Sequence, residues 1–390
     1  MMEVLYLLTE LDPKYGGPTF SVPLQAIGVA KQGINTKILT YSDNSPLANS
    51  MEEEGVIMEY VDRPKSKWER FLYGSIRTYL QHYNAPDIYH AHGVWLLCNH
   101  WHALYARKNG KAYVVNPRGD LQVKSLTYNK WKLLKKKLAW FLYSKKDLES
   151  ASCIITTSNQ EAAAIRKLNI RTPIAIIPNG IDLHAFPECI IHKHNEKKIA
   201  LFLGRINPIK GLDYLIDAWV KLPKDILNTW ELHIAGNSDP ADYEDKLKEQ
   251  VKRLRLDSNV FFVGQITGAE KLKKYSRSDL FILPSHNENF SNVVVEALMC
   301  ECPVITTQGT PWKSLSDNKI GWWVELSRDN LQNAIVEAAN LTDEQRWEKG
   351  KRGRQLVIEN YSLDSVSANT VQLYEWVLGR REKPFFVDII

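Results

Sequence analysis

The sequence has few cysteines and no long apolar run. Its five cysteines are odd in number and none lies in a Cys-x-x-Cys pair, which argues against a zinc or redox motif and favours reduced thiols. No stretch approaches the roughly 20 apolar residues needed to span a bilayer. The N-terminus has a short apolar run without a basic lead, so we interpret it as a buried strand rather than a signal peptide. We therefore expect a cytoplasmic protein.

Excess charge is also small. A net charge of +5 over 390 residues is too low to indicate nucleic-acid binding by itself. Hydrophobic residues make up 44% of the chain and charged residues 24%, which is typical of globular proteins and argues against disordered and fibrous classes. A chain of this length exceeds one ordinary hydrophobic core, so two domains are expected.

Short β-rich runs alternate with helical patterns in both halves of the chain, which indicates parallel sheets built from βαβ units. The runs are "EVLYLLT", "TKILTY", "GVIMEYV", "DIYHAH", "AYVVNP", "CIITTS" and "IAIIP", then "KIALFLG", "WELHIAG", "NVFFVG", "DLFILPS" and "PVITT". Residues 178–198 between the halves keep no regular period, as a linker does. The sequence thus predicts an α/β protein with two sheets. Its predicted parts are residues 1–185, residues 186–365, and a terminal helix and tail at 366–390.

Two glycines follow the first predicted strand. Gly16 and Gly17 precede Pro18 and a predicted helix. Glycines at such a turn let backbone amides approach a phosphate closely, and the helix N-terminus adds a favourable dipole. An ordinary tight turn is the alternative.

Two cations follow the first strand of the second half, in "LFLGRINPIKG". Arg205 and Lys210 would lie beyond the carboxyl end of that strand, where open α/β sheets bind ligands. Arginine offers a bidentate fork and lysine a point charge, which together suit a diphosphate. The alternative is that both are solvated surface residues.

The segment "PSHNENFSNVVVEALM" carries two acids. Ser291 or Asn292 is a plausible N-cap, so Glu288 would lie in the loop and Glu296 in the first turns of the following helix. A carboxylate repels phosphate but accepts two hydrogen bonds, which suits the vicinal diol of a ribose or a hexose. The alternative is that both acids only complement the helix dipole, typically worth about 0.3–1 kcal/mol each.

Two histidines end the fourth strand, in "DIYHAHGVW". His90 and His92 share a face of the strand, which would permit metal binding, but no third ligand is placed nearby. We favour His92 as a ligand contact at the lip of a cleft, with a structural histidine as the alternative.

With these pieces in order, the chain resembles the glycosyltransferase family four enzymes, which are retaining transferases of the GT-B fold. The segments that carry the resemblance are "YGGP" (15–18), "HAHG" (90–93), "PNGID" (178–182), "GRINPIKG" (204–211) and "ENFSNVVVE" (288–296), the last being the family's Glu-x₇-Glu signature. The resemblance implies two Rossmann-like domains whose parallel sheets face each other across a cleft. It also implies an acceptor-side N-terminal domain, a nucleotide-sugar-binding C-terminal domain and a terminal helix that packs back on the N-terminal domain.

The resemblance also implies roles for individual residues. Arg205 and Lys210 match the diphosphate clamp, and Gly16 and Gly17 match the phosphate loop of the first domain. Glu288 matches the acid that contacts the donor sugar, Glu296 the one that holds the ribose, and His92 the histidine near the sugar's hydroxymethyl group. Donor contacts are expected from the whole loop, and its members are Glu288, Asn289, Phe290, Ser291, Asn292 and Glu296.

One position departs from the family pattern. Ser291 stands where the family often has glycine, and serine is less free in φ, so the loop shape is in question. The segments "TTQGTPWKSL" and "GWWVE" resemble a bacterial polysaccharide-assembly subset of the family. That resemblance points towards surface glycan synthesis.

The implied reaction is retaining transfer of a hexosyl unit from a UDP- or GDP-linked sugar to a hydroxyl of a glycan or lipid-linked acceptor. No Asp-x-Asp pair of the kind common in metal-dependent transferases is present, so we expect no metal and no resident cofactor. We favour front-face attack over a covalent intermediate on Glu288. An epimerase or phosphorylase of the same fold and a non-catalytic sugar-nucleotide-binding subunit are the rival functions.

Residues 130–146 carry seven lysines and no acid. At helical spacing we predict a core-facing apolar stripe, formed by Trp131, Leu134, Leu138, Phe141 and Leu142. The opposite face would hold Leu133, Lys136, Lys137 and Trp140. Such a face suits peripheral contact with an anionic membrane at its inner surface, where a lipid-linked acceptor would be found. A plain solvated face is the alternative.

Overall fold

The computed structural model divides the chain into two compact units. Unit 1 is Met1–Ile181 with Tyr361–Ile390, and unit 2 is Asp182–Asn360. The predicted boundaries, at 185 and 365, lie a few residues later in the chain. The structure describes residues 1–12, 17–41, 46–122, 130–186 and 196–389.

Each of the twelve β-rich runs contains a strand, and two further short strands occur near the end of the chain. The strands are β1 (Glu3–Leu7), β2 (Asn35–Tyr41), β3 (Ile57–Val61), β4 (Ile88–His92), β5 (Ala112–Asn116), β6 (Cys153–Thr156), β7 (Ile174–Ile176), β8 (Lys198–Leu203), β9 (Trp230–Ala235), β10 (Val260–Gly264), β11 (Leu280–Leu283), β12 (Val304–Thr307), β13 (Gly321–Val324) and β14 (Val387–Asp388). In unit 1 their order is β14-β7-β6-β5-β4-β1-β2-β3, and in unit 2 it is β10-β9-β8-β11-β12-β13. All pairs are parallel except β14 with β7. The prediction of two Rossmann-like domains with parallel sheets is confirmed.

Helices connect most of the consecutive strands, as parallel pairing requires. The helices are α1 (Pro18–Lys31), α2 (Pro46–Glu53), α3 (Lys67–Leu72), α4 (Gly74–His82), α5 (Leu97–Lys108), α6 (Lys130–Ala139), α7 (Lys145–Glu149), α8 (Asn159–Arg166), α9 (Leu212–Trp219), α10 (Lys224–Thr229), α11 (Tyr243–Arg253), α12 (Gly268–Ser276), α13 (Asn292–Met299), α14 (Ser314–Asp317), α15 (Arg328–Ala339), α16 (Asp343–Tyr361) and α17 (Leu363–Val377). A π-helix, Trp140–Ser144, joins α6 to α7. None of the described helices is long and apolar enough to cross a membrane.

The sheet of unit 1 is buried on both faces. Along β1, Val4 and Tyr6 join one apolar cluster with α1 and α17, whereas Leu5 and Leu7 join another with α4, α5 and α8. Successive side chains of a strand point to opposite faces, so a strand covered on both sides is apolar at every position. The terminal helix α17 thus lies in unit 1, packed against α1.

The prediction for the face of residues 130–146 is wrong. Four members of the predicted core stripe are exposed, with exposed fractions from 58% to 82%, and they are Leu134, Leu138, Phe141 and Leu142. The side chain of Trp131 lies outside the described residues. Instead, Trp140 packs towards the body of unit 1, with its ring 6.4 Å from that of Trp95, and Lys136 lies 5.0 Å from the centroid of the same Trp95 ring. Helical spacing shows which residues share a face, but the body of unit 1 determines which face is covered.

Candidate functional site

The loop after β8 places two cations at the carboxyl edge of the sheet of unit 2. Asn207 accepts a hydrogen bond from the Ile209 amide at 3.0 Å and so starts a short 3₁₀ turn that ends at Lys210. Gly211 follows with φ of +66°, and a Cβ there would lie 2.2 Å from the carbonyl oxygen of Pro284. Glycine therefore lets this loop press against the end of β11.

Lys210 and Glu288 form an ion pair at this edge. The Lys210 Nζ atom lies 2.5 Å from Glu288 Oε1, and the Ser285 hydroxyl donates to the same oxygen at 2.7 Å. Both charged side chains are mostly buried, at 15% and 14% exposed. The Glu288 amide donates to the Gly309 carbonyl at 2.8 Å, which fixes the loop. Two residues predicted for different parts of one donor are thus in direct contact.

Arg205 has a different partner. Its guanidinium lies 3.2 Å from Asp239, and both side chains are more than half exposed. A surface pair of this kind is typically worth less than about 1 kcal/mol, so it leaves the guanidinium available to an incoming anion.

Glu296 lies in the second turn of α13 and is held by α12. Lys271 Nζ lies 2.8 Å from one carboxylate oxygen, and the Tyr275 hydroxyl donates to the other at 3.1 Å. Burial, together with the charge of Glu296, raises the pKa of Tyr275 well above its usual value, so the phenol remains a donor. We did not predict Lys271 or Tyr275. Their i, i+4 spacing puts them on one face of α12, but the sequence does not show that α13 meets this face.

One buried tryptophan shapes the loop that runs from Glu288 to the start of α13, and we did not predict it from the sequence. Trp312 donates its indole N–H to the Phe290 carbonyl at 2.6 Å, and the two rings lie 5.5 Å apart. Ser291 is the N-cap of α13, with φ of +71°, and its hydroxyl forms no cap bond. The partly exposed Asn289 and Asn292 flank this buried Phe290 and strained Ser291.

The predicted phosphate loop of unit 1 is only partly described. Gly17 is the N-cap of α1 with ordinary helical dihedral angles, and Pro18 occupies the first helical position. Gly16 lies outside the described residues. A Cβ built on Gly17 would meet no described atom within 4 Å, so neither its φ nor these neighbours require glycine there. The phosphate role stays a prediction.

His90 and His92 share a face of β4, with ring centroids 4.5 Å apart. His90 Nδ1 is bonded to the Tyr374 hydroxyl of α17 at 2.7 Å. Burial lowers the pKa of both imidazoles well below the usual value. The next two histidines, His100 and His102 of α5, have separate partners, since His100 bonds Asp147 and His102 packs on Tyr89. Among the described residues, no group of three or more His, Cys, Asp or Glu could hold a metal ion.

A pocket of about 280 Å³ lies at the carboxyl edge of the sheet of unit 1. Its lining includes apolar residues such as Leu96, and its polar members include Glu10, His92, Arg118 and Asp120. We did not predict Arg118 or Asp120. Their signal was charge immediately after the apolar run of β5, in "NPRGD", the same rule that identified Arg205 after β8.

Two family models match the chain. The model described as Glycosyltransferase Family 4 matches residues 15–185, and the model described as Glycosyl transferases group 1 matches residues 190–355. The chain is similar to the probable sucrose-phosphate synthase of Thermosipho melanesiensis, with 25% identity over 58% of this chain and 55% of that protein. It is also similar to the D-inositol 3-phosphate glycosyltransferase of Jonesia denitrificans, with 26% identity over 58% of each chain. The matches span somewhat more than half the length of these curated relatives.

Solved structures are similar over nearly the whole chain. Sucrose-phosphate synthase from Thermosynechococcus elongatus has a TM-score of 0.78 at 21% identity, covering 98% of this chain and all of that one. Anabaena HepE, solved in complex with UDP and glucose, has a TM-score of 0.71 at 17% identity, covering 96% of this chain and all of that one. At these identities the likeness shows the fold.

Proposed function

The chain belongs to glycosyltransferase family 4 and has the GT-B fold, and from this premise we propose that it is a retaining hexosyltransferase. It would move a hexosyl unit from a UDP- or GDP-linked sugar to a hydroxyl of a glycan or lipid-linked acceptor, in bacterial surface polysaccharide synthesis. The main support is the mostly buried Lys210–Glu288 pair at the carboxyl edge of the sheet of unit 2. A cation for a leaving phosphate and a carboxylate for sugar hydroxyls lie side by side there.

Departure of the diphosphate is the difficult step, because negative charge grows on it in the transition state. We propose that Lys210 and Arg205 stabilise this charge, with the first amides of α13 and with Gly16 and Gly17 of the phosphate loop. Arg205 would exchange its exposed pair with Asp239 for the diphosphate. We propose no metal ion for this step, since the cations and amides supply the stabilisation.

Retention of configuration is assigned to front-face attack. Glu288 already accepts hydrogen bonds from Lys210 and Ser285. This suits a carboxylate that accepts hydrogen bonds from sugar hydroxyls better than one that acts as a nucleophile. The leaving phosphate would accept the proton of the attacking hydroxyl. Glu296 would bind the ribose diol beside Lys271 and Tyr275, and His92 would donate to the sugar.

Ligand-induced stabilisation tests the donor site. UDP, GDP and their sugars are added to the full chain, and a true ligand at 100 times its Kd should raise stability by about 2.7 kcal/mol and so raise Tm. We expect Lys210→Met and Arg205→Met each to need at least tenfold more ligand than the wild type to reach the same rise in Tm. Lys221→Met is the matched control, because Lys221 is paired with Asp329 beyond the far end of α9. Equal shifts in Lys210→Met and wild type would contradict the assignment.

Turnover tests the reaction class. With the donor identified, incubation without acceptor should give slow hydrolysis, and an epimer as product would support the rival function. We expect activity to persist with a chelator. Activity that disappears with chelator and returns with manganese would refute the metal-independent step.

We propose that unit 1 also contacts an anionic membrane through residues 130–146, on the face opposite to the one first predicted. Four large apolar side chains are exposed there at helical spacing, namely Leu134, Leu138, Phe141 and Leu142. Exposed lysines, including Lys135 and Lys137, lie beside them, and no acid occurs between Asp120 and Asp147. Each lysine near an anionic bilayer contributes about 1 kcal/mol. A second copy of the same face would oppose lysine to lysine, which disfavours self-association.

Vesicle co-sedimentation tests this contact. We expect the wild-type chain to sediment with vesicles of phosphatidylcholine and phosphatidylserine but not with phosphatidylcholine alone. Phe141→Ser combined with Leu142→Ser should abolish most of the binding, whereas Phe385→Ser, which changes an equally exposed phenylalanine, should not. Binding that does not depend on phosphatidylserine, or that the double substitution leaves unchanged, would exclude the proposed contact with an anionic membrane. A concentration-dependent dimer lost in the double variant would identify a second copy as the occupant.

A further inference from the structure

Arg118 bonds only to neutral groups. Its Nη1 atom donates to Ser21 Oγ at 3.1 Å and to Asn179 Oδ1 at 2.6 Å. Its Nη2 atom donates to Gln25 Oε1 at 3.0 Å and lies 3.5 Å from His92 Nδ1. Within the described part of the chain no carboxylate is hydrogen-bonded to this guanidinium. The arginine therefore joins α1, the end of β4 and the segment after β7, and the buried Glu161 of α8 acts on its charge only through space.

The contact with His92 determines the tautomer of that imidazole. A guanidinium has only donors, so Nδ1 must accept with its lone pair and the ring proton must sit on Nε2. A doubly protonated ring would place an N–H against the arginine and two positive charges 3.5 Å apart. Arg118 thus favours the neutral, Nε2-protonated form.

The Nε2 atom of His92 has no hydrogen-bond partner among the described residues, although it is buried. An unsatisfied buried donor typically costs about 1–3 kcal/mol, which a ligand acceptor would restore. His92 is one of the residues that line the 280 Å³ pocket. A hydroxyl oxygen of a bound sugar has the acceptor chemistry that this donor lacks.

The other groups around His92 do not favour its protonated form. The groups facing it are Tyr6 of β1, His90 of β4, His102 of α5, Arg118 after β5 and, through His90, Tyr374 of α17; Glu10 and Asp120 line the same pocket. Burial, His90, Arg118 and His102, in that order, lower the pKa of His92 well below its usual value. Among the described residues, no carboxylate raises the pKa of His92.

We propose that Arg118 is a positioning residue that holds His92 as the neutral Nε2–H tautomer, so that Nε2 donates to a sugar hydroxyl. This role rests on the proposed transferase function. Arg118 itself touches no substrate in this account, and its effect on turnover passes through the imidazole. Loss of Arg118 would therefore change the protonation of His92 as well as the rate.

Nitrogen-15 NMR of the full chain labelled at histidine tests the assignment, with His92→Gln used to identify the signals. In the wild type we expect His92 to be the Nε2–H tautomer and to stay neutral at pH 5.5. In Arg118→Met we expect a mixture of tautomers and a titration midpoint higher by at least about one pH unit. Arg166→Met is the matched control, since Arg166 also bonds within unit 1, to the carbonyls of Ile170 and Thr172, away from the pocket.

Two results would overturn the proposal. A wild-type His92 that carries its proton on Nδ1, or is charged at pH 5.5, refutes it even where Arg118→Met does not fold. An Arg118→Met chain whose His92 titrates as in the wild type, with the same loss of stability as Arg166→Met, shows a purely structural arginine. Where the donor is known, the kcat/KM of Arg118→Met should also fall as pH drops below 6.5, whereas the pH profile of the wild type should show no such fall. The NMR result needs no turnover, so failure of the transferase function is distinguishable from failure of this assignment.

Discussion

The two acids of the Glu-x₇-Glu segment differ in their surroundings. Glu288 lies in the loop between Lys210 and Ser285, while Glu296 lies on α13 between Lys271 and Tyr275. Each carboxylate is thus oriented by one cation and one hydroxyl before any ligand arrives. Such orientation reduces the side-chain entropy that the protein loses when a diol binds.

Ser291 occupies a conformation that suits glycine. Its φ of +71° lies in the left-handed region, where a residue with a Cβ typically costs about 1–2 kcal/mol. Its buried hydroxyl has no hydrogen-bond partner among the described residues, so removal loses no bond. We expect Ser291→Gly to raise the free energy of unfolding by about 1 kcal/mol, measured by urea denaturation.

Ser327→Gly is the control for Ser291→Gly. Ser327 caps α15 by accepting from the Asn330 amide, with an ordinary φ of −148°. Its replacement should leave stability equal or slightly lower. A Ser291→Gly chain less stable than wild type would mean that the serine is not strained.

At the scale of elements, the segment from α6 to α7 shows why helical spacing alone misplaced a face. Leu134, Leu138, Phe141 and Leu142 share one face, as the spacing predicts, but that face is exposed and not covered. The segment also carries apolar residues on more than one side, including Leu133 and Trp140. The packing of the Trp140 ring against Trp95, at a tilted angle, then determines which side is covered.

The packing of α1 on α17 depends on Gly28. A Cβ at this position would lie 2.0 Å from Ser367 Oγ and 3.0 Å from Leu363 Cδ1. Alanine is the better helix former by about 1 kcal/mol, but overpacking typically costs about 1–3 kcal/mol. We expect Gly28→Ala to lower the free energy of unfolding by about 1–2 kcal/mol, measured by urea denaturation.

A double-mutant cycle with Ser367→Ala separates this clash from other effects. The Ser367 hydroxyl has no hydrogen-bond partner in the described structure, so its removal should cost little alone and should restore part of the stability lost in Gly28→Ala. Gly74→Ala is the control, because its Cβ would meet only Glu69 at 3.6 Å. A Gly28→Ala chain as stable as wild type would show that α17 shifts to accommodate the added methyl group without any loss of unfolding free energy.

At the scale of the whole molecule, exposed apolar residues are distributed unevenly. Among the described residues of unit 2, only Val263 is a large apolar side chain with substantial exposure. In unit 1 the exposed set is larger and includes Trp68 and Phe71 of α3 besides the α6 and π-helix residues. The exposed apolar side chains of α6 and the π-helix support the membrane contact proposed for unit 1.

Buried neutral histidines predict how stability depends on pH. Burial lowers the pKa of His102 to about 3, against 6.5 when exposed. Below pH 6.5 the unfolded chain takes up a proton that the folded chain does not, so this stabilisation is complete above pH 6.5 and is lost as pH falls towards 3. Each such histidine should contribute a loss of about 1.4 kcal/mol per pH unit in that window.

His102→Phe isolates one of these protons. His102 packs edge-on against Tyr89 and bonds to nothing else among the described residues, so phenylalanine can occupy its place. Unfolding free energies at pH 7.5, 6.5 and 5.5 should show the variant gaining about 1 kcal/mol relative to wild type between pH 6.5 and 5.5, because the unfolded histidine is already half protonated at pH 6.5. Parallel pH profiles would mean that His102 is not buried in its neutral form.

The sequence by itself determined the strands, the two sheets, the positions of Arg205, Lys210 and Glu288 in loops after strands, and that of Glu296 early in a helix, because apolar runs and turn residues act over a few neighbours. It did not reveal β13, or β14, which pairs with a strand more than 200 residues earlier. Only the tertiary structure decided which side chains meet, including Lys271 with Glu296, Trp312 with Phe290 and Arg118 with His92. Those contacts join elements far apart in the chain, and they form only when sheets and helices pack.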